Sequence, residues 1–182
     1  IDAAPDALVI LDEAYGAFAG RSLRARFAGR DNVAFMGTLS KIGLAAARVG
    51  WVELPRALAD EVEKVRQPYN LNALSQAVAL LALTELWPVL GAQVAAIVRE
   101  RAVLERGLSA IDGLFVNPSD ANFFLVRVPD AEALAKELLQ RGISVRAFKG
   151  GGALAGHLRI TVGTPDENAL LLNALQTLNL RD

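Results

Sequence analysis

Short apolar runs and longer helical periodicities alternate along the chain, and their order predicts an α/β protein. Ala7–Leu11 is a continuous apolar run that ends at Asp12, the pattern of a strand buried on both faces of a parallel sheet. Val33–Met36 repeats it and runs into Gly37–Thr38, and Arg48–Val52 is a third candidate strand. Pro55–Arg66 reads as an amphipathic helix closed by Gln67–Pro68. Asn72–Leu86 is apolar nearly all round, which predicts a buried helix, and Trp87–Pro88 should end it. Val94–Ile111 sets Val94, Ile97, Leu104, Leu108 and Ile111 on one helical face.

The pattern changes after Gly113. Leu114–Val116 and Asn122–Val128 read as strands. Asp130 caps a helix with Leu134 and Leu138 on its apolar side, stopped by Gly142. Ile143–Phe148 and Leu158–Val162 alternate as half-exposed strands do. Thr164–Pro165–Asp166–Glu167 has the form of a capping box with proline at the first helical position, opening a last helix through Leu180. The expected division is a sheet domain over residues 1–86 and a small α/β domain over residues 87–182, with Trp51 and Trp87 in the core.

Composition narrows the function. The 182 residues are 53% hydrophobic and carry 19 basic against 20 acidic side chains, evenly spread, for a net charge of -1. No basic stripe suits nucleic acid and no basic amphipathic helix suits a membrane surface. With no cysteine and one histidine, thiolate metal sites and disulfides are excluded, and no metal ligand set is expected. His157 reads as a loop residue. A cytoplasmic protein that handles small molecules is the expectation.

The chemistry concentrates in Thr38–Trp51, read with Asp12–Tyr15. Ser40 and Lys41 follow one candidate strand, Asp12 ends another, and Arg48 lies seven residues beyond the lysine in a stretch almost free of other charge. Ligands in open α/β sheets sit beyond the carboxyl ends of strands, where Asp12 and Ser40–Lys41 both fall. A lysine in such apolar surroundings is costly unless something uses it. Pyridoxal phosphate would use the amine, the carboxylate, the hydroxyl and the guanidinium together.

These residues carry a resemblance. Val9–Tyr15, Ser40–Lys41 through Arg48–Gly50, Gly142–Arg146 and Leu158–Thr164 stand in an order and at separations that resemble the pyridoxal-phosphate aminotransferases of the aspartate aminotransferase fold, most closely the histidinol-phosphate aminotransferases. The resemblance covers nearly all of the chain. It implies the C-terminal half only of such an enzyme: the C-terminal part of a large parallel-sheet domain followed by a small α/β domain. The glycine-rich phosphate loop, the aromatic residue that stacks on the cofactor and the asparagine-proline motif are expected upstream of Ile1, so the chain alone is expected to be inactive as a transaminase.

The resemblance further implies roles. Lys41 is the catalytic, Schiff-base lysine. Asp12 pairs with the pyridinium nitrogen, Tyr15 with the phenolic oxygen, and Ser40 and Arg48 hold the phosphate, with Thr38 adding a hydroxyl. Arg159 and Arg146 bind the anionic groups of the substrate, with Asn122 and Tyr69–Asn70 lining its pocket. The implied activity passes an amino group between imidazole-acetol phosphate and glutamate, the histidinol-phosphate:2-oxoglutarate transamination of histidine biosynthesis, in a homodimer. Aromatic aminotransferases and threonine-phosphate decarboxylases are the alternatives within the fold. A cofactor-sensing domain of a transcriptional regulator is the alternative outside enzymology.

Overall fold

β-Branched and aromatic residues draw three segments into a first sheet: β1 (Val9–Asp12), β2 (Val33–Thr38) and β3 (Gly50–Glu53). The computed structural model describes residues 1–3 and 5–178. β1 runs parallel to β2, from Val9 opposite Val33 to Asp12 opposite Met36, and β3 returns antiparallel, from Glu53 opposite Phe35 to Gly50 opposite Thr38. β2, in the centre, meets the expectation of a buried strand only in part: Val33, Ala34 and Phe35 are buried, but Met36 is 39% exposed. β1 is half-exposed and β3 exposed along its whole length, because each has a sheet neighbour on one edge only.

Two one-turn helices, α1 (Gly16–Ala19) and α2 (Arg24–Phe27), lie between β1 and β2, and neither has the length for a periodicity to reveal it. After β3 come α3 (Arg56–Val65) and α4 (Ala73–Thr84), the latter capped by Asn72, whose side chain accepts the Ser75 N–H at 2.9 Å. α4 was expected to be buried, but Leu74 is 75% and Leu80 66% exposed, and only Ser75 and Ala82 are buried. Its apolar circumference finds cover on one narrow stripe. Trp51 and Trp87, expected in the core, are 39% and 46% exposed.

α5 runs from Trp87 to Ser109, seven residues earlier than the periodicity indicated. Pro88 lies in its first turn, where the missing N–H has no intrahelical acceptor to lose, so the proline opens a helix as well as closing the one before it. The chain divides into two compact units within this helix, Ile1–Val94 and Ala95–Asp182.

The second unit has its own sheet, in the order β4 (Phe115–Val116), β5 (Phe123–Arg127), β7 (His157–Thr161), β6 (Arg146–Ala147), antiparallel throughout. Phe124 and Val126 of β5 and Leu158 and Ile160 of β7 are buried on one face. They join a core with Leu104 and Leu108 of α5, with α6 (Ala131–Gln140) and with α7 (Pro165–Gln176). The expected strand over Ile143–Phe148 shrinks to two residues for a visible reason. Gly142, at φ +79°, ends α6 in a Schellman turn: its N–H reaches the Leu139 carbonyl at 3.0 Å and the Ile143 N–H reaches Leu138 at 2.9 Å. Ile143 is thus tied to α6 and cannot lie against β7. His157, expected in a loop, is the first residue of β7.

α7 opens with the capping box that its sequence announces, Thr164 and Glu167 bonding each other's backbone N–H. It is helical to Gln176, and the expected continuation to Leu180 reaches outside the described residues. No single helix among the described residues is long and apolar enough to cross a membrane.

Candidate active site

The pleat of the first sheet decides which side chains share a face. Asp12 opposes Met36, and Thr38 follows Met36 by two residues, so Asp12 and Thr38 emerge on the same face at neighbouring strand ends. Asp12 accepts the Ala14 N–H at 2.9 Å through Oδ1, which fixes its carboxylate and leaves the other oxygen available. The turn that follows brings Tyr15 beneath the lysine, with Lys41 Nζ 5.3 Å from the centre of the Tyr15 ring.

Lys41 sits in a single 3-10 turn, Ser40–Ile42, directly after the buried anchor Leu39, which is 1% exposed. Gly43, at φ +98°, ends the turn in a conformation that favours glycine. A second 3-10 turn, Ala45–Ala47, delivers Arg48, which holds φ +56° although it has a Cβ. Such a residue is uncommon and costs about 1–2 kcal/mol. The Arg48 guanidinium makes only a long hydrogen bond, 3.5 Å, to the Ala45 carbonyl and no ion pair among the described residues. Thr38 Oγ1 and Ser40 Oγ lie 3.0 Å apart. Lysine, carboxylate, two hydroxyls and a guanidinium with no ion-pair partner among the described residues thus arise from two strand ends, one turn and one loop.

A cavity of about 510 Å3 opens beside this loop, lined by Glu13, Arg24, Leu39, Trp51, Leu83 and Trp87 among others. Of the candidate residues only Thr38 reaches it. Its polar edge is a network that the sequence did not reveal. Glu13 accepts from the Ser22 hydroxyl at 2.8 Å and the Leu23 N–H at 2.7 Å, and Arg24 joins Glu13 to Glu53. The hydrogen bond to Glu53 raises the Arg24 guanidinium above its ordinary value, and the Glu13 charge adds to this. Glu13 follows Asp12 by one residue, so the alternation of β1 turns it away from the candidate site; that parity was the available signal.

In the second unit, Arg146 and Arg159 are direct cross-strand partners in the β6–β7 ladder. The arginines project from the face opposite the buried Leu158 and Ile160. Each guanidinium rests on an aromatic ring, Arg146 5.4 Å from Phe148 and Arg159 5.7 Å from Phe123, and neither has an ion-pair partner among the described residues. Phe123 was not singled out from sequence, although alternation along β5 sets it on the Arg159 side. Asn122 is half-buried just before β5, its carbonyl accepting the Val162 N–H at 2.9 Å. Tyr69 is 97% exposed at φ +55°.

The family model for aminotransferase class I and II matches residues 2–175. The chain belongs to this aminotransferase family. It is 46% identical over 170 residues to a histidinol-phosphate aminotransferase of Polaromonas naphthalenivorans, covering 93% of this chain and 46% of that protein. Among solved structures, it is similar to the L-threonine-O-3-phosphate decarboxylase of Porphyromonas gingivalis, with a TM-score of 0.84 at 26% identity, covering 97% of this chain and 56% of that one. It is also similar to the histidinol-phosphate aminotransferase of Sinorhizobium meliloti, solved with pyridoxal 5′-phosphate, with a TM-score of 0.76 at 28% identity, covering 93% and 48%.

These matches correct one expectation. The aminotransferase resemblance was assigned to a C-terminal half only, with a mere remnant of the large domain. The family match over residues 2–175 and the structural likeness over 92% or more of the chain put the α/β aminotransferase fold, in its large-sheet and small-sheet parts, across nearly the whole chain. The physical counterpart is that each unit has its own sheet, and the second a continuous core of its own. The chain spans about half the length of the curated relatives it matches.

Proposed function

We propose that the protein is a pyridoxal-phosphate-dependent aminotransferase that exchanges an amino group between histidinol phosphate and 2-oxoglutarate, giving imidazole-acetol phosphate and glutamate. The observation that carries the substrate class is the Arg146–Arg159 pair. Phe148 N–H bonds the His157 carbonyl at 3.3 Å, which makes Arg146 and Arg159 a hydrogen-bonded pair in the same ladder, with Cα atoms about 5.5 Å apart. Two like charges held opposite each other destabilise a sheet, and a phosphate between them relieves the repulsion with bidentate hydrogen bonds. The identity to histidinol-phosphate aminotransferases supports the same reading.

The first unit fits the cofactor by the chemistry of its donor set. Bound there, pyridoxal phosphate supplies an electron sink for negative charge on the substrate carbon. Lys41 would hold the cofactor through its aldehyde, and its amine would take the proton from the amine-bearing carbon of the substrate. Asp12 accepts the ring N–H and keeps that proton in place. Tyr15 donates to the phenolic oxygen, and Ser40 and Arg48 bind the phosphate. A cytoplasmic homodimer belongs to this reading.

The test is intact mass after treatment with pyridoxal phosphate and borohydride. One adduct in the natural sequence and none in Lys41→Ala supports the cofactor assignment; an adduct retained in Lys41→Ala refutes it. Release of glutamate from histidinol phosphate and 2-oxoglutarate then tests the substrate. The likeness to a threonine-phosphate decarboxylase supports a second reading, on which threonine phosphate would yield carbon dioxide and no glutamate.

A further inference from the structure

Two consecutive residues of α5, Glu100 and Arg101, reach the same end of the second sheet from one helix. The β5–β7 ladder pairs Phe123 with Thr161, and just beyond it the Val162 N–H bonds the Asn122 carbonyl at 2.9 Å. The same register sets Ala121 opposite Gly163, one step further out. Arg101 Nη1 donates to the Ala121 carbonyl at 2.9 Å. Asn168 of α7, 3% exposed, holds Gly163 by both backbone groups: its Oδ1 accepts the N–H at 2.9 Å and its Nδ2 donates to the carbonyl at 3.1 Å. The other Nδ2 proton goes to Glu100 Oε2 at 3.1 Å. A carboxylate can only accept, so Glu100 fixes which way the Asn168 amide faces, and with it both bonds to Gly163.

The clamped end is where Arg159 finds its support. Phe123, the first residue of β5, carries the Arg159 guanidinium 5.7 Å from its ring centre. Ladders open from their ends, and opening here would take Phe123 from beneath the arginine. We propose that Glu100, acting through Asn168, and Arg101 are positioning residues for Arg159. They pin both strands beyond the last rung and so hold the guanidinium where a substrate anion meets it. This inference rests on the reading of Arg146 and Arg159 as the anion site and deepens it.

Inorganic phosphate is the probe, titrated calorimetrically into the folded full chain, with Arg159→Gln as control. Charge alone and the clamp give opposite signs for Glu100→Ala. Removing a negative charge strengthens anion binding, whereas losing a hydrogen bond to a charged group should weaken it roughly tenfold. The expected result is the fall, with a similar one in Asn168→Ala, which changes no charge. Glu100→Gln loses the same charge but keeps a carbonyl acceptor for Asn168, and should hold the natural affinity or exceed it. A folded Glu100→Ala protein that binds phosphate as tightly as the natural sequence overturns the proposal. So do equal losses in Glu100→Ala and Glu100→Gln.

If the natural sequence takes no phosphate, or Arg159→Gln takes it equally well, the anion reading fails and the clamp is judged without a ligand. Exchange of the Val162 N–H should quicken roughly tenfold in Glu100→Ala and in Arg101→Gln. Unchanged exchange in both overturns the clamp.

Discussion

The indole of Trp51 lies on the bare backbone of Gly37, its partner across the β2–β3 ladder, and the first sheet depends on that contact. A Cβ built on Gly37 would stand 2.4 Å from Cζ2 and 2.5 Å from Cε2 of the ring. Carbon atoms in contact sit about 3.5–4.0 Å apart, so the ring must retreat by roughly 1–1.5 Å. Trp51 is 39% exposed and can swing outward, and the penalty is the surface it uncovers. Roughly 50 Å2 at about 25 cal/mol per Å2 amounts to about 1.3 kcal/mol. A ring held in place would instead cost about 1–3 kcal/mol in overpacking. Replacing glycine in a strand returns about 0.5–1 kcal/mol. Gly37→Ala should therefore destabilise by roughly 0.3–0.8 kcal/mol, the outward swing of the ring being the cheaper route. In a Trp51→Val background, with the obstacle gone, it should be neutral or stabilising by up to about 0.5–1 kcal/mol. The coupling energy expected from urea unfolding of the four proteins is about 1.3 kcal/mol, the cost of moving the ring. Trp87, the other of the two tryptophans, remains as a fluorescence reporter in every member of the cycle. An equal cost of Gly37→Ala in both backgrounds would refute the account.

Three further outcomes are expected. The Thr164 N–H, and then its hydroxyl, hold the Glu167 carboxyl below its ordinary value of 4.5. A carboxylate lowered in this way stabilises the fold above its unfolded value, and that stabilisation is lost as pH falls through the folded value. Glu167→Gln should accordingly lower the melting temperature at pH 7 more than at pH 3, and equal losses would contradict the capping-box account. Phe124, completely buried in the second core, should cost about 3–5 kcal/mol on replacement by alanine, measured by urea unfolding. Arg146→Gln should raise stability by a few tenths of a kcal/mol at low salt, by relieving the opposed charges, and should abolish any stabilisation by inorganic phosphate. Phosphate stabilisation that survives the substitution would remove the shared-anion reading.

Legibility from sequence followed how local the cause was. The capping box of α7 and the Asp130 cap of α6 are each written in a few neighbouring residues, and each stands in the structure as its residues suggest. The aminotransferase motifs are equally local. Errors arose where a local pattern was made to answer a tertiary question. Apolarity all round α4 says nothing about which neighbours exist to cover it, and Leu80 and Leu83 remain more than half exposed. Alternation over Ile143–Phe148 is real, but the Schellman turn at Gly142 draws the chain off β7 before pairing can begin. Proline at position 88 was read as a stop, although its chemistry suits a helix start equally well.

Strand parity explains how a small sheet can both carry the candidate lysine loop and anchor it. Asp12 and Thr38 leave their strand ends toward one face, while their immediate neighbours Glu13 and Gly37 turn to the other. On that second face, Glu13 ties residues 22–24 to the end of β1, Arg24 crosses Phe35 to reach Glu53 on β3, and the indole of Trp51 lies over Gly37. Glu13 adjoins Asp12 in the chain, and Gly37 adjoins Thr38. Loosening the back face therefore shifts the strand ends that carry Asp12 and Thr38, and through Thr38 the loop that carries Lys41. Glu13→Ala is the substitution that separates this from a purely local role. It touches none of the candidate groups, yet it should reduce Lys41 labelling by pyridoxal and by pyridoxal phosphate alike. Labelling that is unaltered in a folded Glu13→Ala protein would confine the site to its own face of the sheet.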